Sequence, residues 1–441
     1  MRNRLKHKKK LKTKIMNVGI IIGRIGGVDG VALETEKWIE VLNRMGHKTF
    51  ILSGQFEDRK LNSLNERLAP YMSFFTPESI WEQRKAFHNP TGSEEQLLEH
   101  IETYAEIIQK RIELWLIDYK IDIVISENAS ALPAHLSMGI AIKRAFEKNG
   151  MPLITHDHDF AWERGERYVS PHKGIMKIVE EVFPLRLKNS FHAVINLNGQ
   201  RTLKEKFGRD SIVVPNVMDF DIPYGIVTNQ NKRLKTDLGF KEDDILLAQV
   251  TRIVRRKGIE VAIRLVDKLN DPKIRLIVTG NANDDEGASY FEELTDLVVD
   301  LNLKNKVVCA SHMINNMGTV TDTQVLYSLS DAYANANSCT YFSTYEGFGN
   351  AFVEAVLSKT PIFVNNYKPV YWPDIGSKGF KTVMLEDNNL TDQSVKDMAE
   401  IIYNEKLNKE IAEYNFDLGK KYFSYDTLES KLKELLLIFE K

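Results

Sequence analysis

Asn17-Val18-Gly19-Ile20-Ile21-Ile22-Gly23 is an apolar run ending in glycine, and Arg24-Ile25-Gly26-Gly27-Val28-Asp29-Gly30 follows it directly. A helical pattern carrying Leu33, Trp38, Val41 and Leu42 comes next. A strand, a glycine-rich loop and a helix in that order open a parallel α/β sheet. Further strand-like runs at 48–53, 121–125, 153–155 and 193–195 are separated by long helical stretches such as 96–116. Strands alternating with helices predict a parallel sheet covered on both faces.

The pattern then restarts. Pro215-Asn216 is a turn signal, and the polar run 228–235 reads as a linker. A second series follows, with strands expected at 245–250, 275–279, 306–309, 332–334 and 361–364. Helices are expected at 259–269, 290–301, 324–329 and 350–357, and residues 427–441 read as an amphipathic helix. The expected division is a basic flexible tail at 1–15, a first α/β domain at 16–225, a linker at 226–240, a second α/β domain at 241–420 and a C-terminal helix at 421–441 that packs back on the first domain. Two doubly wound Rossmann-like domains facing a central cleft would bind ligands at the carboxyl ends of their strands.

Composition narrows the function classes. The chain has 441 residues, 43% hydrophobic and 27% charged, which is enough for more than one sizeable core. Its 59 basic and 61 acidic residues give 59 − 61 = −2, so the overall charge is not that of a nucleic-acid binder. Cys309 and Cys339 are the only cysteines, which excludes a disulfide framework and fits a reducing compartment. No run reaches the roughly 20 apolar residues of a membrane helix, and no secretory leader pattern is visible. The expectation is a cytoplasmic protein. Residues 1–14 hold eight Arg or Lys and no acid. They read as a flexible tail, or as a weak peripheral contact with the inner membrane face worth about 1 kcal/mol per basic residue.

Four constellations carry chemistry. Gly26 and Gly27 lie between a strand and a helix, where backbone amides and the helix start favour phosphate, although tight turns need the same residues. The spacing is not G-x-G-x-x-G, so a dinucleotide site is not supported. Thr251-Arg252-Ile253-Val254-Arg255-Arg256-Lys257-Gly258 puts four cations after the first strand of the second domain, as a diphosphate leaving group requires. Tyr345-Glu346-Gly347-Phe348-Gly349-Asn350-Ala351-Phe352-Val353-Glu354 opens a helix with glycines. Eight residues turn a continuous helix about 80° past two full turns, so Glu346 and Glu354 meet one ligand only if Glu346 lies in the loop.

The fourth is His156-Asp157-His158-Asp159-Phe160-Ala161-Trp162-Glu163-Arg164. Extended backbone puts His156 and His158 on one side and Asp157 and Asp159 on the other, an arrangement that can hold a metal. No further ligand stands at a recognisable spacing, so no metal site is expected. Trp162 offers a flat face to a sugar ring, and Glu163 and Arg164 offer hydrogen bonds to an acceptor. Ser126-Glu127-Asn128, at the end of another strand, is a weaker acceptor-side candidate through Asn128.

The E-x7-E of Glu346 and Glu354, with an aromatic-rich strand before it and Arg252-x4-Lys257-Gly258 upstream, resembles the retaining glycosyltransferases of the GT-B fold, family 4. The Gly26-Gly27 loop and Pro215-Asn216-Val217-Met218-Asp219 are similar to the same family's landmarks, in the same order from Met16 onward. Thr251, Phe342 and Val217-Met218 depart from its common pattern, and none of them is a charged functional position. The resemblance implies a metal-independent hexosyltransferase with no cofactor, using a UDP-, GDP- or ADP-hexose donor. By it, Arg252 and Lys257 would bind the diphosphate, Glu346 would lie against the donor sugar and Glu354 would bind ribose hydroxyls. Gly26, Gly27, Gly347, Phe348, Gly349 and Asn350 would line the donor, and His156 would lie near the reacting sugar. Asn128, Asp157, His158, Asp159, Trp162, Glu163 and Arg164 would face a small polar, glycan or lipid-linked acceptor. A same-fold epimerase or phosphorylase, or a non-catalytic nucleotide-sugar sensor, is the alternative.

Overall fold

Strands of this chain are near-continuous apolar runs, as expected of strands buried on both faces. The computed structural model describes residues 14–58, 61–282, 285–315, 318–320 and 325–439. The basic tail therefore lies outside the described residues up to position 13. The chain divides into two compact units. The first takes the described residues up to Val194, Thr202–Val214 and the chain from Leu428 on; the second takes Ile195–Arg201 and Pro215–Thr427.

In the first unit, β1 (Asn17–Ile22), β2 (Lys48–Ser53), β3 (Glu66–Leu68), β4 (Ile123–Glu127), β5 (Leu153–Asp157), β6 (Ser190–Val194) and β7 (Ser211–Val213) form a parallel sheet. Its order is β3-β2-β1-β4-β5-β6-β7. The direction of winding reverses between β1 and β4, so the carboxyl ends of these strands flank the switch point where α/β sheets bind ligands. Helix α1 (Gly30–Arg44) begins there, capped by Asp29 Oδ1, which accepts from the amides of Val31 at 3.0 Å and Ala32 at 3.2 Å. Helices α2 (Glu94–Asp118) and α3 (Leu136–Asn149) bury Ile108, Ile112, Trp115, Ala141 and Phe146 against the strands.

The second unit repeats the plan. Its strands β8 (Ile245–Gln249), β9 (Ile274–Val278), β10 (Val307–Cys309), β11 (Ser338–Tyr341), β12 (Ile362–Asn365) and β13 (Met384–Leu385) are ordered β10-β9-β8-β11-β12-β13, all parallel. Helix α4 (Ile259–Leu269) buries Ile263, Leu265 and Val266 beside Leu276 and Val278.

Two local assignments differ from the sequence reading. Residues 325–328 form a short strand pairing with Ile314–Asn315 and Thr319–Val320 rather than a helix. The apolar stretch 332–334, read as a strand, lies in helix α5 (Leu329–Asn335). Its start is fixed by a reciprocal cap: Asp331 N donates to Ser328 Oγ at 3.1 Å, and Ser328 N donates to Asp331 Oδ2 at 2.8 Å. One boundary between the two units falls at Val214–Pro215. Asn231 and Leu234 are buried in the second unit, where Asn231 Nδ2 donates to Ile226 O at 2.9 Å and to Asp331 Oδ1 at 2.7 Å. From Leu428 the C-terminal helix α8 (Tyr425–Leu437, numbered after α6, Asn350–Leu357, and α7, Glu405–Phe423) belongs to the first unit, with Leu428, Leu432, Leu435 and Leu436 buried.

Candidate active site

On the second unit, the chain leaves β8 and turns through Thr251–Gly258. Gln249, buried at the strand's end, donates from Nε2 to Lys257 O at 2.8 Å and accepts from Thr340 Oγ1 on β11 at 3.0 Å. The turn closes at Gly258, whose φ of +60° and approach to Phe342 O leave no room for a side chain: an added Cβ would lie 2.3 Å from that oxygen.

This turn aims Lys257 inward. Its ammonium donates to Glu346 Oε1 and lies 5.3 Å from the centre of the Tyr341 ring. Arg256 Nη1 donates to Tyr345 O at 2.7 Å and to Glu346 Oε2 at 3.0 Å. Burial alone would raise the Glu346 carboxyl, but Lys257 and Arg256 hold it below the ordinary carboxylate range, so it is ionised. Arg256 is thus a second cation on this carboxylate. Arg255 points elsewhere and pairs with Glu293 at 2.8 Å on the surface. Arg252 is exposed and makes no ion pair among the described residues.

Helix α6 starts at Asn350, so Glu346 lies in the loop before it, and Glu354 lies within it. Glu354 Oε2 accepts from Tyr333 Oη at 3.0 Å. Burial first and Glu354 second push Tyr224 well above the usual phenol range. The loop itself is tied down on each side. Gly347 O accepts from Asn196 Nδ2 at 2.7 Å, Phe348 O from Tyr367 Oη at 3.0 Å, and Asn350 Oδ1 from Asn216 Nδ2 at 2.9 Å. The Phe348 ring is buried against Phe423, with ring centres 5.5 Å apart, which leaves its backbone amide for the donor contact that the resemblance implies. The Pro215-Asn216 turn thereby supports the helix start directly.

On the first unit, the parallel register of β4 and β5 sets Glu127 beside His156. His156 Nδ1 lies 2.7 Å from Glu127 Oε2, and both side chains are buried. His158 Nε2 is 3.9 Å from the same oxygen. Burial favours a neutral Glu127, but His156 and then His158 outweigh it and hold its carboxyl down to about 2. Trp38 of α1 stacks on His156, with ring centres 4.0 Å apart and planes at 25°. Asn128 ties the segment together: its Oδ1 accepts from His158 N at 3.1 Å and its Nδ2 donates to Asp159 Oδ1 at 3.0 Å.

The remaining residues of this segment scatter. Asp157 turns to the other face, where its Oδ2 lies 2.7 Å from His192 Nδ1 and accepts from Thr155 Oγ1 at 3.1 Å. Arg164 pairs with Asp159. Glu163 accepts from Phe160 N at 2.9 Å and caps the 3₁₀ segment Ala161–Tyr168. Trp162, expected to offer a flat face to a sugar ring, stacks on Phe160 at 4.6 Å and carries Lys206 at 4.7 Å. At the glycine loop, Arg24 lies 3.2 Å from both Asp29 and Glu57. Because Asp29 already takes two amides at the start of α1, that helix end is less open to phosphate than its glycines suggest. Trp38 and Asn196 carry no motif of their own, and only the fold brings them to these positions.

A family model described as glycosyl transferases group 1 matches residues 230–417, the segment that holds Arg252, Lys257, Glu346 and Glu354. The chain is 32% identical over 392 residues to a mannosylglucosylglycerate synthase of Petrotoga mobilis, covering 84% of this chain and 86% of that protein. The chain belongs to the group 1 glycosyl transferases. A mannosylglucosylglycerate synthase of Thermotoga maritima is 30% identical, over 96% of this glycosyltransferase and 100% of its own length. A glycosyltransferase structure from Rickettsia africae superposes with a TM-score of 0.67 at 16% identity, covering 97% of this chain and 99% of that one. The fold is GT-B. No helix among the described residues of this glycosyltransferase is long and apolar enough to cross a membrane.

Proposed function

We propose that the enzyme moves a hexosyl group from a nucleotide diphosphate sugar to a hydroxyl of a small polar acceptor, with retention at the anomeric carbon. The sugar is mannose and the acceptor glucosylglycerate. The observation that carries this choice is the similarity to a mannosylglucosylglycerate synthase over 96% of the chain, which takes in the acceptor-side unit as well as the donor-side one.

In this reading the second unit holds the donor and the first the acceptor. Arg252 and Lys257 meet the diphosphate, and the amides of 347–350 meet sugar and phosphate oxygens. As the bond to the anomeric carbon breaks, positive charge grows on the sugar and negative charge on the departing diphosphate. Glu346, held ionised, lies on the side of the first; the cations absorb the second. The departing phosphate oxygen takes the acceptor proton on the same face, so configuration is kept. Protein cations neutralise the diphosphate, and that step needs no metal. His156 lies against the reacting sugar, while Asn128, His158, Asp159 and Arg164 face the acceptor. Arg164 is the cation of this segment that suits a glycerate carboxylate. The free thiols Cys309 and Cys339 accord with a cytoplasmic setting.

The test is a matrix of UDP-, GDP- and ADP-hexoses against glucosylglycerate, glycerate and free hexoses, read by mass spectrometry. One donor giving the trisaccharide-like acid from glucosylglycerate is the expected result. Transfer only to unrelated acceptors would overturn the acceptor assignment, and donor binding without any transfer would overturn catalysis.

A further inference from the structure

We propose that Glu127, His156 and His158 form a three-ligand site for one divalent transition-metal ion, with zinc the best match. One ligand-capable atom from each residue lies within 4.8 Å of the other two. From Glu127 Oε2 the distances are 2.7 Å to His156 Nδ1 and 3.9 Å to His158 Nε2. Bonds of 2.0–2.2 Å in a tetrahedral site set neighbouring ligand atoms about 3.3 Å apart, between these two values. Small side-chain shifts in opposite senses therefore bring both contacts to coordination geometry.

The chemistry of the donors chooses the class of ion. Two imidazoles and a carboxylate suit zinc and its first-row neighbours, whereas magnesium and calcium want oxygen throughout. The carboxylate and two imidazoles also leave atoms unsatisfied in the interior. Glu127 Oε1, His156 Nε2 and His158 Nε2 are buried and have no hydrogen-bond partner among the described residues. An ion bound through Glu127 Oε2, His156 Nδ1 and His158 Nε2 would satisfy one of these atoms, His158 Nε2. His156 Nε2 would stay uncoordinated in the interior.

The ligands are held in place by groups that do not coordinate. Asn128 fixes the backbone at His158, and Trp38 fixes the plane of the His156 ring. Outer groups of this kind orient metal ligands and set affinity. Three protein ligands leave a further position for water or an acceptor oxygen. Sequence spacing missed the site because Glu127 stands 29 residues before His156 and reaches it only through strand pairing. The proposal does not depend on which sugar or acceptor the enzyme uses.

The experiment is calorimetric titration of the chelator-treated full chain with zinc chloride alone, with cobalt substitution followed by visible absorption. The expected result is one equivalent bound at micromolar affinity or tighter, with the intense cobalt bands of a four-coordinate site. Glu127→Gln and His158→Gln should each weaken binding at least tenfold. Because Glu127 is wholly buried, Glu127→Gln can fail to fold; His158, at the edge of the interior, then decides. Absence of saturable binding, or an affinity unchanged by His158→Gln, would overturn the site.

Discussion

Lys257 and Glu346, 89 residues apart in the chain, form an ion pair in the interior of the second unit, with Arg256 on the second carboxylate oxygen. The arrangement explains how a carboxylate stays ionised where burial disfavours it. It also couples the proposed leaving-group cation to the proposed sugar-facing anion, so neither can be altered alone without cost.

Replacing Glu346 by Gln should reduce turnover at least a hundredfold. It should also destabilise the protein, because Lys257 loses its partner while still buried; breaking such a pair costs about 3 kcal/mol. The double variant Lys257→Met, Glu346→Gln should regain much of that stability and none of the activity. Thermal melts and kcat on all three proteins check this. Near-normal turnover in Glu346→Gln would remove its assigned role.

Arg252 has no counter-ion among the described residues, so its charge is available to a ligand. Arg252→Ala should weaken binding of the free nucleoside diphosphate by about tenfold, the scale of one charge-assisted contact. Calorimetry in the presence of EDTA measures it. Unchanged affinity would argue against a diphosphate contact, and affinity that collapses in EDTA for the unaltered protein would argue against neutralisation by protein cations.

Much of the fold is legible in the sequence, because parallel strands buried on both faces are short apolar runs and glycines mark where they end. The run 245–250 and the helix 259–269 are of this kind. Where the pattern is ambiguous, local capping decides: Ser328 and Asp331 start a helix over a stretch whose alanines and tyrosine read as strand. The site is only partly legible. Spacing singles out Glu346 and Glu354, but it does not say that Lys257 pairs with Glu346, that Trp162 is covered by Phe160 and Lys206, or that Glu163 caps a turn. Those facts come from tertiary packing, which brings together residues with no fixed separation along the chain.

Asp374 accepts from Leu197 N at 2.9 Å, and burial raises its carboxyl to about 6. Its folded value lies above its unfolded one, so the native state binds more protons and is penalised as pH climbs through that interval. Asp374→Asn keeps an acceptor for Leu197 N and removes the buried charge. It should raise the melting temperature at pH 7.5 and leave it nearly unchanged at pH 4. A variant less stable than the parent at pH 7.5 would contradict this.

Gly349 has φ of +128°, and an added Cβ would lie 2.2 Å from Tyr367 Oη. Gly349→Ala should therefore lower the melting temperature by several degrees, since backbone strain alone costs about 1–3 kcal/mol. Adding Tyr367→Phe removes the clash but not the strain, so stability should return only in part. Full recovery would mean the backbone relaxes freely there.

In the proposed reading, retention of configuration joins the donor cations, the ionised Glu346 and proton uptake by the departing phosphate into one mechanism. The direct measurement is proton NMR of the product formed from an α-linked nucleotide hexose and glucosylglycerate, recorded before any anomeric scrambling. An α-linked product is the predicted result. A β-linked product would contradict the same-face mechanism and the roles given to Lys257 and Glu346 within it.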